Sequence, residues 1–99
     1  MFARVSIYDI PDDRADEAVA SFTEALNTIA ASRGLAEAVF LVSREGNRGL
    51  AMTVWNDRET MSASNVAASR LRADAIRAAG GNIVMVDEYE IAVRVDGSG

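Results

Sequence analysis

The chain contains no cysteine and no histidine. The first absence excludes disulfides, thiolate nucleophiles and thiolate zinc sites. The second removes imidazole bases, proximal haem ligands and two-histidine-carboxylate iron sites. Carboxylates are the donors left for a first-row metal, and they never fall at metal-binding spacing, so neither a metal nor a bound cofactor is expected. There is no glycine-rich nucleotide loop, and no apolar run approaches the roughly 20 residues of a membrane span. The residues before Pro11 are too few and too mixed for a signal peptide. Positive charge is in short supply too: the net charge is -5, which opposes a phosphate-backbone partner. A cytoplasmic protein with neither membrane nor nucleic acid as partner is the expectation.

What is present is the profile of an ordinary folded protein, with 49% hydrophobic and 25% charged residues. At 99 residues the chain is read as one domain, 1–99, because two cores would each be marginal at half that length. From Phe2 to Ile10 apolar and polar side chains alternate with a period of two, which predicts a first strand. Asp12 and Asp13 offer an N-cap after Pro11, with Asp16 completing a variant capping box. Ala15, Val19, Phe22, Leu26 and Ile29 then recur at helical spacing to about Ser32, and Gly34 is placed to stop that helix.

Ala36 to Ser43 is a near-continuous apolar strand, Arg44 to Gly49 has hairpin composition, and Leu50 to Trp55 is a third strand. Asn56 with Glu59 predicts a second helix from about Asp57 to Ala79, bent or broken near Ser64 or Asn65, whose side chains compete for backbone hydrogen bonds. Gly80 and Gly81 end it, Ile83 to Val95 reads as a long fourth strand, and 96–99 as a loose tail. The order β-α-β-β-α-β predicts an α+β, ferredoxin-like domain: a four-stranded antiparallel sheet with both helices on one face.

Every strand is apolar on both sides, yet the helices cover one side only. The uncovered face is therefore expected to pack on a second copy, making a homodimer whose facing sheets enclose a ligand cavity. Phe40, Met52, Tyr89, Ile91 and Val93 are the candidate interface residues, with Glu90 to Val95 reaching onto the partner. If Val5 and Ile7 face the helices, Phe2, Arg4, Ser6 and Tyr8 face the cavity. Trp55, Glu88 and Glu90 join Arg4, Ser6 and Tyr8 as cavity-lining candidates. Trp55 is also placed to seal the gap between the sheet and the second helix. Arg4 needs a partner if buried, and Glu88 or Glu90 can supply one. A shared low-dielectric space would raise the pKa of at least one of that glutamate pair; on an exposed edge they only solubilise it. Arg70, Arg72 and Arg77 read as the solvated side of the second helix.

Three stretches give the chain a family likeness: Phe2-Ala3-Arg4-Val5, the Gly34-Leu35 step, and Thr53-Val54-Trp55 followed by Asn56 to Met61. In these the chain resembles the antibiotic biosynthesis monooxygenase-like family of the dimeric α/β barrel superfamily. That resemblance implies a barrel built by two subunits, and an oxidoreductase that works without a cofactor on an apolar aromatic or polyketide-like substrate. The haem-degrading branch of the superfamily implies an axial histidine near Asp74, a tryptophan near Ser64 and an asparagine near Ser6 or Ile7, none of which this chain has. The quinone-oxidising branch implies a strand tryptophan, matched by Trp55, a strand asparagine, which is missing, and a nearby arginine. Two readings stay open from the sequence: an oxygen-using enzyme, and a noncatalytic dimer that binds a small apolar ligand or supports a protein partner.

Overall fold

The computed structural model describes residues 1–98. Its elements run β1 (Phe2–Asp9), α1 (Ala15–Ile29), β2 (Leu35–Ser43), β3 (Arg48–Trp55), α2 (Arg58–Ala63), α3 (Asn65–Ala78) and β4 (Asn82–Glu90). The strands form one antiparallel sheet in the order β2-β3-β1-β4, the ferredoxin-like arrangement. The second helix is divided at Ser64, where sequence competition for the backbone was expected. There the Ser64 hydroxyl donates to the Met61 carbonyl at 2.7 Å, and the residue closes α2 while opening α3.

Both helix starts differ from expectation by a residue or more. Asp13 adopts φ 62° in the turn after Pro11, and α1 opens at Arg14 without a side-chain cap. At α2 the cap is Asp57, whose carboxylate accepts the Thr60 N–H at 2.8 Å. That bond and one from the Thr60 hydroxyl hold the Asp57 carboxyl below its usual pKa. The chain turns into β2 at Gly34, with φ 85°, and a Cβ there would lie 2.3 Å from the Thr60 hydroxyl oxygen. Gly80, at φ 74°, makes the corresponding exit from α3.

The strand faces are the reverse of the expected assignment. Tyr8 packs on Phe22 of α1 at 4.8 Å between ring centroids, and Phe22 stacks on Phe40 at 4.3 Å. Phe2, Arg4, Ser6 and Tyr8 therefore face the helices, together with Trp55, Thr53 and Ala51, and with Phe40 and Glu88 in register beside them. Val5 and Ile7 face the open side with Met52 and Leu50. The long side chains of the first row reach α1 and the helix break, and a row of Ala3, Val5 and Ile7 is too short to fill that space. Phe40 accordingly belongs to the core and not to the open face. Met52, half-buried, and Tyr89, exposed, do lie on the open face.

β4 is shorter than its apolar pattern suggests, ending at Glu90. Its partner β1 begins at Phe2, opposite Glu90, and the Ile91 N–H to Met1 carbonyl bond is the last rung available. Ile91 is half-buried, whereas Val93 is exposed in a segment without regular structure. Arg94 in that segment meets Glu37 of β2 at 3.5 Å. The segment thus crosses the open side at the end where Ala3 and Val54 are buried. All nine residues of β4 are exposed.

Candidate functional site

A cleft opens between the helix-facing row of β1 and β3 and the inner faces of α1 and α3. Phe22, Ala25, Leu26 and Ile29 supply one apolar wall, and Ala68 and Leu71 the other; Arg4, Ser6, Tyr8, Thr53 and Arg72 are its polar members. Its volume is about 40 Å³. That holds a few water molecules and is too small for an aromatic ring unless a side chain moves. Three residues named from the sequence, Arg4, Ser6 and Tyr8, meet here, within one subunit's own layers and not between two sheets.

Tyr8 is fully buried, and its hydroxyl makes no hydrogen bond among the described residues. Burial pushes the phenol's pKa up; nearby Ser6 and the Arg72 charge oppose the shift without reversing it. Ser6 is near enough to matter electrostatically, but its geometry falls short of a hydrogen bond to the ring hydroxyl, so we regard the phenol as unpaired. The group is a neutral donor in an apolar setting, and a buried hydroxyl left without a partner is a standing cost.

Arg4 is the opposite case. Its guanidinium donates to the Met61 carbonyl at 2.7 Å, the Ser64 hydroxyl at 3.1 Å, the Asn65 side-chain oxygen and the Glu88 carboxylate at 3.2 Å. It also lies 5.9 Å from the Trp55 ring centroid. At the break between α2 and α3 the Met61 carbonyl accepts from the Ser64 N–H and hydroxyl, and Arg4 adds a charged donor to it. The side chain is a staple from β1 to the helix junction, with Glu88, its cross-strand neighbour, balancing the charge.

Trp55 and Glu90 lie outside the cleft. Trp55 is fully buried among Ile29, Met61 and Ala68, with its indole N–H donating to the Thr53 hydroxyl at 2.9 Å. Glu90 is exposed near the end of β4. Glu88 lines a separate outer groove of about 420 Å³ between α3 and β4, shared with Asn65, Ser69, Val86 and Asp87. Arg4 and Arg72 belong to both spaces and form the wall between them.

Arg72 is the functional candidate that the sequence reading passed over. It is half-buried where Arg70 and Arg77 are exposed. Burial lowers its pKa, Tyr8 and Glu88 act to raise it, and Arg4 adds to the lowering. The signal was available in the spacing. Arg72 falls four residues after Ala68 and three before Ala75, which places it on the buried stripe of α3. No group of three or more potential metal-binding side chains occurs among the described residues. No helix among them is long and apolar enough to cross a membrane.

No model of a known protein family matches the sequence, and no curated protein matches it. Solved structures do. A candidate antibiotic biosynthesis monooxygenase from Deinococcus radiodurans aligns over 100% of both chains with a TM-score of 0.78 and 11% identity. The cofactor-independent oxygenase SnoaB from Streptomyces nogalater aligns over 97% of each chain with a TM-score of 0.76 and 16% identity. MupZ from Pseudomonas fluorescens matches 88% of this chain and 69% of its own, at a TM-score of 0.72 and 16% identity. At these identities the likeness establishes the fold: the chain has the architecture of structures that carry the antibiotic biosynthesis monooxygenase name.

Proposed function

We propose, from that shared architecture, that the chain is an oxygenase which binds an apolar aromatic molecule in the cleft and oxidises it with molecular oxygen. The unpaired Tyr8 hydroxyl in an apolar cleft is the observation that carries the reading. A suitable substrate has a phenol conjugated to an acidic CH₂, as in an anthrone. Loss of a proton gives a phenolate-stabilised carbanion, which transfers electrons to oxygen. The CH₂ becomes C=O and one O₂ yields the carbonyl oxygen and one water, so the substrate supplies all four electrons and no bound cofactor is required. Tyr8 donates its O–H to the developing oxyanion, and the apolar walls keep competing water away.

Tyr8→Phe tests this directly. Removing one oxyanion donor should lower kcat/KM for oxygen uptake with a dihydroxyanthrone by about 10- to 100-fold. Thermal stability near neutral pH should change by less than about 1 kcal/mol, because no hydrogen bond is lost. The folded pKa of Tyr8 lies above its unfolded value of 10.0, so this group's share of stability is complete below pH 10 and is lost as pH rises toward the folded pKa. Wild type should therefore destabilise more steeply than Tyr8→Phe above pH 10. Unchanged oxygen uptake in the variant would remove Tyr8 from the mechanism, and no uptake by wild type would remove the reaction.

The same proposal includes a homodimer formed through the open face. Val5, Ile7, Val39, Leu41, Leu50 and Met52 make its centre, with no charge among them. A two-fold axis brings such a patch onto its own copy, and the uncharged centre lets two chains of net charge -5 approach there. Leu41 is 56% exposed in the single chain, so Leu41→Lys should leave the subunit folded and shift sedimentation from dimer to monomer. A wild-type monomer at micromolar concentration would end the dimer proposal.

A further inference from the structure

Arg72 makes no hydrogen bond and no ion pair among the described residues, although it is half-buried in the wall between cleft and groove. A guanidinium cannot shed its charge to escape that position. Partial burial of an uncompensated cation is unfavourable, which distinguishes Arg72 from the solvated Arg77, paired with Asp74 at 3.4 Å. The groups facing it do not satisfy it. Tyr8 is a neutral phenol, and Arg4 is a second cation. The Glu88 carboxylate is engaged by Arg4 at 3.2 Å, and the preceding carboxylate on β4, Asp87, is in register with Val5 on the opposite face of the sheet. Two guanidinium groups therefore share one contacting carboxylate, leaving a local positive excess inside a chain of net charge -5.

We propose that Arg72 selects the ligand by charge, taking the carboxylate of an aromatic acid whose ring lies in the apolar cleft. A planar, singly charged carboxylate matches the two-pronged guanidinium, while the Glu88 carboxylate along the groove disfavours a doubly charged phosphate. Displacement of the Arg72 side chain toward the groove joins the 40 Å³ cleft to the 420 Å³ space outside, which provides the room that the closed cleft lacks. Ser69 and Asn65, one and two turns earlier on the same side of α3, add neutral polar groups along the outer part of the path. This assignment rests on the cleft being a ligand site and does not require that oxidation follow.

Calorimetric titration with naphthoate and its neutral isostere naphthamide tests it. Wild type should bind the acid at least about 10-fold more tightly than the amide, the discrimination expected of a charge-assisted hydrogen bond. Arg72→Gln should abolish that preference by weakening naphthoate alone, and Arg72→Lys should retain part of it, since charge remains but the planar fork is gone. Thermal unfolding of both variants checks that they are folded, and the lysine variant decides the matter if the glutamine variant is not. Equal affinity of wild type for the two ligands, an equal loss for both on substitution, or no binding of either up to about 1 mM would each overturn the proposal. Naphthoate selectivity without oxygen uptake from a dihydroxyanthrone would sink the oxygenase reading while leaving Arg72 in its role.

Discussion

Trp55→Ala is expected to destabilise the protein by about 3–5 kcal/mol, a large share of what a domain of this size possesses. The side chain has no solvent exposure and fills the space between the end of β3, Ile29 of α1, Met61 of α2 and Ala68 of α3. No neighbour is free to collapse into the vacancy, because β1 and the helix junction are already fixed to each other through Arg4. Trp55→Phe retains most of the ring volume and loses the indole N–H bond to Thr53, whose hydroxyl is left without that donor. Its cost should be about 1–2 kcal/mol. Urea unfolding of the three proteins measures the difference. Equal losses for Phe and Ala would mean that the single hydrogen bond outweighs the packing.

The second large effect is expected at Arg4. Arg4→Met keeps most of the aliphatic volume but strips donors from the Met61 carbonyl, the Ser64 hydroxyl and the Asn65 side chain at one stroke. The Met61 carbonyl keeps the Ser64 hydroxyl and N–H as donors and exposed Asn65 is rehydrated, so the cost is that of the lost charge-assisted hydrogen bonds, about 2–4 kcal/mol in total. Glu88→Gln should cost less, about 1 kcal/mol or below, because the carboxylate is 41% exposed and water screens its attraction. Arg4 itself would keep its other partners. Chemical unfolding, with amide exchange at Ala67 and Ala68 as a local probe, separates the two: Arg4→Met should loosen the start of α3 and Glu88→Gln should not. Similar losses from both variants would instead make the ion pair the dominant contribution.

The element order, the hairpin, the interruption at Ser64 and the Arg4–Glu88 pair were legible in the chain because each rests on local chemistry or on strand register. Which side of β1 meets the helices was not. Its two rows are both apolar enough to be core, and only the three-dimensional distance from the sheet to Phe22 and to the helix break favours Phe2, Arg4, Ser6 and Tyr8 over Ala3, Val5 and Ile7. Phe40 was misplaced for the same reason, sitting in a run without alternation. The end of β4 was hidden because Ile91, Val93 and Val95 continue its pattern, while the limit is set by where β1 begins. Arg72 was hidden by its type: charge suggested solvent, and the spacing with Ala68 and Ala75 pointed the other way.

β4 has a neighbour on one flank only, so its other flank offers unsatisfied backbone groups to any passing extended chain. Two features discourage such lateral growth. The pairing register slips between Ile7 and Tyr8, twisting the outer strand locally, and Asp87, Glu88 and Glu90 give its second half a concentrated negative charge. Solubility is thereby written into the same acidic stretch that balances Arg4, and conditions that neutralise or screen those carboxylates weaken the barrier to fibril-like stacking along with the staple.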